Sequence, residues 1–587
     1  MTGKGEQLSL FDIQPPKKAK VQEEEKLILR YNLFDLPTAQ HKAGLAGLLV
    51  MIESLQRRGI TPLPEVSEQG ATCVTLSLTK KSLQVLFDDL FDAAIVEVKV
   101  KSKWQKKKPK ETIEVEIEKD GKKKREKRYI YDIIQPKGVF LQTFFPDGDT
   151  GWIQLWRNML WNILRAQPAT RKVYEERADS KSSSICPKVF AALVKEQKQK
   201  KSGKILTESI AGSVFVGAQD KNAELISFSG LPSQNFLLHF WHIVSLIFIP
   251  RTFSLERAKD KPGTIKWQDM GFALVIPEPS DLPCFMEDII DALQRLEPEL
   301  AGKSNKPQRA LIDLSEEGGL EYLYYLARYR SHQQGMGDCI SAVEIYHIQK
   351  QGNNVRMLAA NRLVPDKYVL DHYERLRSYR MNPVFKSFIL PNILTRSPWY
   401  LGSMNSLASS PVELLIHVQG HTPVHLPFFG RDARRKFVDI KEGLEHMEEQ
   451  EMKTEQGQDD LLASRLYDMI RHFVRFKAES KSGIKLKDHK KDVDGNTRYD
   501  YPKKYREAVE KISTDAFLAM RGRREQDFVE YFTGTICSLP QFLPEDDYLL
   551  ISGALIDEWE KVKALSMLAI SASSYLPGST NDKGEES

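Results

Sequence analysis

Thirteen Lys and Arg residues lie between Lys101 and Arg128 against six Asp and Glu, a local charge of 13 − 6 = +7. The whole chain carries only +5, so everything outside this stretch sums to 5 − 7 = −2. Lys101, Lys103, Lys106, Lys107 and Lys108 supply the first half, and Lys122, Lys123, Lys124, Arg125 and Arg128 the second. Cations at this density suit a phosphate backbone, because each phosphate contact releases a condensed counterion. The competing reading is a solvated hairpin whose lysines serve only solubility.

Other residue sets point to other chemistry. His417, His421 and His425 recur at intervals of four in HVQGHTPVH. On one helix they would stack three metal ligands, as a metal-dependent nuclease would need. Gly420 and Pro423 oppose a continuous helix there, and no acidic residue lies among the three. Arg471, Arg475 and Lys477, then Arg521, Arg523 and Arg524, make a second basic group. Near the N-terminus, Gln7-Leu8-Ser9-Leu10-Phe11 resembles the peptide by which bacterial proteins dock on the replication sliding clamp. In that mode Leu10 and Phe11 fill an apolar pocket while Gln7 hydrogen-bonds beside Leu8. No GxxxxGK[ST], HExxH, GxSxG or paired-aspartate signature occurs, and no cofactor motif is found. The chain therefore reads as a binding subunit, not an enzyme.

The elements that must position the cations follow from hydrophobic period. Ile113, Val115 and Ile117 alternate with Glu114, Glu116 and Glu118, which marks a strand. Asp120-Gly121 then suits a tight turn, and Tyr129-Ile130-Tyr131 ends a return strand. Around this projecting hairpin, Leu27–Tyr31 and Thr72–Leu78 read as strands. Leu45, Leu48, Leu49 and Ile52 mark a helix opened near Pro37, and Lys81–Ala94 a second helix. Gly44 and Gly47 cost that first helix about 1 kcal/mol each relative to alanine, a cost that close approach of another backbone explains. His41 reads as a hydrogen-bonded residue at the helix start. Gly138–Phe145 reads as a strand, and Trp152–Leu164 as an apolar helix whose tryptophans are core.

From Leu206 to Pro277 short β-like runs dominate, among them GSVFVG, ELISFSG, FLLHFWHIV and GFALVIP. Helices follow at Met286–Leu296, Gly318–Arg330 and Lys367–Arg380, with strands at Cys339–Tyr346 and Val355–Leu358. Glu442–Asp460 is acidic and weakly apolar, and reads as a boundary. Beyond it Leu461, Leu462, Leu466, Ile470 and Phe473 form one helix face. Ala478–Tyr501 reads as a basic loop turning at Asp494-Gly495, before helices at Tyr505–Met520, Asp527–Leu539 and Asp546–Ser571. The fold class is thus α+β for a large N-terminal region with a projecting basic β-hairpin, followed by an all-α C-terminal helical bundle. The expected divisions are a disordered tail at 1–25, an α+β region at 26–445, an acidic linker at 446–460, the bundle at 461–575 and a disordered tail at 576–587.

With 587 residues and 41% hydrophobic content the chain can build large cores. Five cysteines, none in CxxC spacing, argue against a disulfide framework or a cysteine zinc site and fit a reducing cytoplasm. The N-terminus lacks an apolar signal core. The most apolar run, Phe236–Pro250, is too short to span a bilayer and reads as buried core, so no membrane partner is expected.

Several blocks, taken in order, resemble one family. LPTAQHKAGLAGLL at Leu36–Leu49, LWRNMLWNILRAQPATR at Leu155–Arg171 and LLHFWHIV at Leu237–Val244 are similar to its N-terminal part. AMRGRREQDFVEYFTGTICS at Ala519–Ser538 and WEKVKALSMLAISA at Trp559–Ala572 are similar to its helical C-terminal region. The family is the large subunit of type I CRISPR Cascade, in the Myxan-type branch of the Cas-eight group. The resemblance implies a non-catalytic subunit of a crRNA-guided complex that reads a PAM in duplex DNA, promotes R-loop formation and contacts the displaced strand. It implies crRNA, target double-stranded DNA and the Cascade backbone and guide-end subunits as partners. A helicase-nuclease would follow in phage defence, and transposition proteins in a CRISPR-associated transposon. The Lys101–Arg128 arm is then assigned to duplex or guide, and Arg471, Arg475, Lys477, Arg521, Arg523 and Arg524 to the displaced strand. In this family a small subunit can arise by internal initiation. Glu448-Glu449 is encoded by purine-rich GAR-GAR codons shortly before Met452, which marks Met452 as an internal start. The readings that compete are the histidine nuclease and an RNA-binding protein unrelated to CRISPR.

Overall fold

The computed structural model describes residues 26–576 except 105–106, 120–121, 147, 150, 163–167, 211–213, 217–227, 257–263, 302–304, 328–337, 352–353, 379–380, 382, 404–429, 449–451, 494–495 and 539–543. Its contacts divide the chain into two compact units, Met1–Ser245 with Pro277–Pro298, and Leu246–Ile276 with Glu299–Ser587.

In the first unit, β1 (Leu27–Asn32), β2 (Glu65–Gln69) and β3 (Cys73–Leu78) form a sheet in the order β1-β3-β2. Helix α1 (Ala39–Arg57) is capped by Thr38, and Leu45, Leu48, Leu49 and Ile52 are buried. The expected close approach is real. A methyl group at Gly44 would strike the carbonyl oxygen of Leu237, and one at Gly47 that of Phe240. His41 accordingly sits at the helix start, with Nδ1 2.8 Å from Thr38 Oγ1.

Thr79 and Ser82 box the start of α2 (Lys80–Leu90), whose Leu83, Leu86, Phe87 and Leu90 are buried. The helix ends there, short of the expected Ala94. Residues from Ala93 are taken by β4 (Ala93–Val100), which pairs along its length with β6. β5 (Glu111–Lys119) and β6 (Lys122–Pro136) complete a second sheet, ordered β4-β6-β5.

The strand expected over 138–145 is instead a helical turn, α3 (Val139–Gln142). Gly138 leaves β6 at φ +64°, and Phe140, Leu141, Phe144 and Phe145 are buried at helical spacing. Helices α4 (Gly151–Asn162), α5 (Pro168–Ala178) and α6 (Ile185–Lys201) follow. Trp152 and Trp156 of α4 are core. Next come the short strands β7 (Glu208–Ser209) and β8 (Ser229–Gly230). FLLHFWHIV is buried as expected but is not β. Pro232 starts the helix α7 (Pro232–Leu237), and a 3-10 turn covers Trp241–Ile243. Residues 214–216 of GSVFVG form a turn. Helix α8 (Leu282–Gln294) closes this unit.

The second unit is built on β9 (Leu246–Glu256), β10 (Thr264–Asp269), β11 (Phe272–Pro279), β12 (Leu311–Ile312), β13 (Ile340–Gln351) and β14 (Asn354–Leu363). The main path is β10-β9-β11-β13-β14, with β12 parallel to β9. Helix α9 (Ser315–Ala327) lies on this sheet, and Gly318 and Gly319 admit Phe248, Val275 and Ile345. α10 (Lys367–Ser378) and α11 (Pro383–Thr395) lead to the helical part. There α12 (Gly430–Glu445), α13 (Glu455–Ser482), α14 (Lys503–Arg521), α15 (Glu525–Tyr531) and α16 (Glu545–Asp557) surround the nearly wholly buried α17 (Trp559–Ser574).

Several sequence boundaries move. The helices on either side of Glu442–Asp460, α12 and α13, both pack on α17 and lie in one compact unit. Thr454 caps α13, so the expected linker already enters the helix at Glu455. The expected loop at 478–501 is helical to Ser482, ends at Gly483 with φ +72°, and then forms the hairpin β15 (Lys490–Val493) and β16 (Asn496–Tyr499). The helix expected over 546–571 is broken at Glu558, where φ −140° and ψ 47° leave the helical region. Cys73, Cys186 and Cys537 are free, whereas Cys284 and Cys339 are each disulfide-bonded, a state that sequence spacing does not reveal. Among the described residues no helix is long and apolar enough to cross a membrane.

Candidate nucleic-acid interface

The basic arm is one edge of the β4-β6-β5 sheet. Register places Lys123 opposite Glu118, Arg125 opposite Glu116 and Lys127 opposite Glu114. Directly opposed residues share a face, so the register sets the alternating glutamates of β5 against alternating basic positions of β6. Arg125 Nε lies 3.4 Å from Glu116 Oε1. Lys122, Lys124 and Arg128 fall in the other register, opposite Lys119, Ile117 and Ile113. Arg128 lies 2.7 Å from Glu126 on its own strand. The positive field of the strands is largely offset within the strands.

The connector between β4 and β5 differs. Lys101, Lys103 and Lys108 are exposed and form no ion pair among the described residues. Lys107 Nζ donates to the Asp132 carbonyl oxygen at 2.5 Å. Lys110 Nζ lies 2.5 Å from Glu97 Oε1 and 3.3 Å from Asp132 Oδ1, and the hydrogen bond to Glu97 leads in raising its pKa. These two contacts pin the connector to the sheet and leave three free ammonium groups beside each other in sequence. Lys106 lies outside the described residues. Trp104 sits among the free lysines, its ring stacked on Tyr131 at 4.2 Å. The sequence reading missed it, although an aromatic residue interleaved with lysines is itself a signal for base stacking.

The six C-terminal cations separate into two groups. Arg471, Arg475 and Lys477 lie on α13. Arg471 and Arg475, with Arg434 of α12, act on the Tyr501 phenol: burial raises its pKa, and these guanidinium charges pull against the rise. Ring centroids of Tyr499 and Tyr501, and of Tyr501 and Tyr505, are each 6.1 Å apart. Arg475 is partly engaged by Glu479 at 3.0 Å, and Lys477 Nζ lies 5.9 Å from the Phe473 ring. Arg471 is exposed and unpaired among the described residues. This is a surface of rings and guanidinium groups, the combination that tracks single-stranded nucleic acid. Sequence reasoning missed Arg434, Tyr499 and Tyr501, since three elements converge to form it.

Arg521, Arg523 and Arg524 lie at the other end of α14, about 27 Å away at 1.5 Å per residue. Their junction is partly structural. Lys563 Nζ donates to the carbonyl oxygens of Arg521 and Arg523, and the Arg523 guanidinium lies 4.8 Å over the Tyr531 ring. Burial, reinforced by Arg524, lowers the Lys563 pKa.

A cavity of about 350 Å³ lies among α10, α11, α12 and α13, lined by His372, Arg375, Lys436, Asp439 and Asp460 among others. Burial lowers the Lys436 pKa and raises those of Asp439 and Asp460. Its mixed charges select no single ligand class. His417, His421 and His425, and the peptide Gln7, Leu8, Leu10 and Phe11, lie outside the described residues.

Two family profiles match the chain. The type I-B CRISPR Cas8b N-terminal domain matches residues 63–336, which include the arm, and the type I-B CRISPR Cas8b C-terminal domain matches residues 340–573, which include the bundle. No curated protein matches the chain. The two profiles stand in their natural order and leave only residues 337–339 between them, so the chain belongs to the Cas8 large subunits of type I CRISPR systems.

Proposed function

We propose that the chain is the non-catalytic large subunit of a crRNA-guided Cascade complex that recognises PAM-containing duplex DNA, promotes R-loop formation and contacts the displaced strand. The observation that carries this reading is the connector of β4 and β5, with Lys101, Lys103 and Lys108 free of carboxylate partners inside the N-terminal match. Guide pairing supplies sequence specificity, so such a subunit needs mainly phosphate contacts. The surface of Arg434, Arg471 and Tyr501 suits the displaced strand.

Partners on this reading are crRNA, target double-stranded DNA and the backbone and guide-end subunits, in the cytoplasm. A helicase-nuclease would act downstream in defence, or transposition proteins in a transposon of the Myxan-type branch. Gln7–Phe11 would dock on a sliding clamp. Met452 would start a second, small-subunit product; the cap of α13 at Thr454 supports it, since such a product would begin just ahead of an intact helix. Replacing the Met452 codon should abolish that short product.

The test of the main reading is co-expression of a tagged chain with its neighbouring genes, followed by sequencing of bound RNA. Uniform repeat-flanked guides are expected. Recovery of the protein without guide RNA or partner subunits would overturn the reading.

A further inference from the structure

Tryptophan is costly to expose, and most described tryptophans here are not: Trp152, Trp156 and Trp241 are at most 3% exposed. Trp104 and Trp267 are exceptions, at 37% and 45% exposure. Arg251 covers a face of Trp267, its guanidinium carbon 4.8 Å from the ring centroid. Trp104 has no cation over it among the described residues; its one ring contact is Tyr131, at 4.2 Å and an interplanar angle of 16°.

That contact holds the indole in place. Tyr131 is fully buried in β6, and its hydroxyl accepts a hydrogen bond from the Trp104 backbone N–H at 2.9 Å. One indole face is occupied by a fixed ring, and the residue as a whole stays 37% exposed. Holding the ring this way removes most of the ordering cost a ligand would otherwise meet. The free lysines Lys101, Lys103 and Lys108 are close along the chain; four extended residues put Lys108 at most about 14 Å from Trp104. An aromatic face beside cations recognises a planar ring carried on a phosphate backbone.

We propose that Trp104 is a stacking platform for an unpaired nucleobase, with Lys101, Lys103 and Lys108 on the flanking phosphates. Bases inside a duplex offer only their edges, so the partner is a single strand or a base released from its pair. The proposal rests on the reading of this connector as a nucleic-acid interface. Guide RNA and opened DNA share the chemistry, and the test separates them.

The experiment uses the full-length protein and measures anisotropy of a labelled short oligothymidylate, the matching oligouridylate and an abasic backbone of the same length. The wild type should bind the base-bearing strands about tenfold more tightly than the abasic strand, the effect of one stacked base. Trp104→Ala should lower that preference several-fold, to what the separate Tyr501 surface supplies, and Trp104→Phe should retain it. A stronger response to uridylate assigns the platform to guide RNA, and one to thymidylate assigns it to opened DNA. Equal binding of base-bearing and abasic strands by the wild type, which requires no variant to fold, would overturn the proposal. So would a Trp104→Ala protein whose preference is as large as the wild type's. Guide recovery in the co-expression assay is read separately, so failure of the platform and failure of the Cascade reading are distinguishable.

Discussion

Trp156 Nε1 donates a hydrogen bond to His242 Nδ1 across 3.3 Å in the buried core of the first unit. For Nδ1 to accept, the imidazole must be neutral and carry its proton on Nε2. Burial enforces that state, lowering the His242 pKa to about 3 and those of His41 and His239 to about 4. The unfolded chain protonates its histidines near 6.5, well above these folded values. The unfolded state therefore binds more protons below pH 6.5, and stability present above that pH is lost as pH falls towards 4. Each histidine contributes roughly 3 kcal/mol to the loss. Chemical denaturation across this window should show the first unit weakening; a flat profile from pH 6.5 to 4 would contradict neutral buried histidines.

Gly44 and Gly47 give a prediction of opposite sign to helix propensity. In an exposed helix, glycine to alanine gains about 1 kcal/mol. Here the added methyl meets a backbone carbonyl oxygen, that of Leu237 or Phe240, which has little freedom to move. Gly44→Ala and Gly47→Ala should each cost about 1–3 kcal/mol through overpacking. A lowered thermal midpoint is the expected readout, and a raised midpoint would show that the contact yields.

These two glycines, with the alternation of Ile113, Val115 and Ile117, show what was legible in the sequence: periods of two and of helical spacing, and glycines that make sense only at a close approach. What was not legible depended on tertiary context. Gly138–Phe145 has strand-like composition, but a left-handed glycine and buried Phe140 and Phe144 turn it into a helical turn. The run into β9 merges with FLLHFWHIV, so one apolar stretch hides a helix, a turn and a central strand. Along the arm, counting charge weighted Lys123 and Arg125 equally with Lys101, whereas register sets the first two against glutamates. The pairing of Arg471 with Arg434 and Tyr501 had no signature at all, because the three lie on separate elements.

A buried ion triad supports the second unit. Lys386 Nζ lies 2.5 Å from Glu317 Oε1 and 3.0 Å from Asp313 Oδ2. Glu317 also accepts the backbone N–H groups of Asp313 and Leu314 at the start of α9. Burial raises the Glu317 pKa while Lys386 pulls it down. Removing the ammonium in Lys386→Met strands a carboxylate that is 1% exposed, and should cost roughly 3–5 kcal/mol. Adding Glu317→Gln removes the stranded charge but keeps an acceptor for the two N–H groups, so the double variant should recover part of the loss. Denaturant midpoints of the single and double variants check this, and equal midpoints would contradict it.

The central claim is that the free connector lysines, more than the paired strand cations, carry DNA contact. Its most direct test is binding of target duplex by the purified guide complex across a range of salt. Replacing Lys101, Lys103 and Lys108 with alanine should weaken binding and flatten the logarithmic salt slope by about 2–3, near 0.9 per lost phosphate contact. Replacing Lys123 and Arg125 should leave the slope close to wild type, since Glu118 and Glu116 stand opposite them. An unchanged slope in the connector variant, or a larger change in the strand variant, would contradict the account.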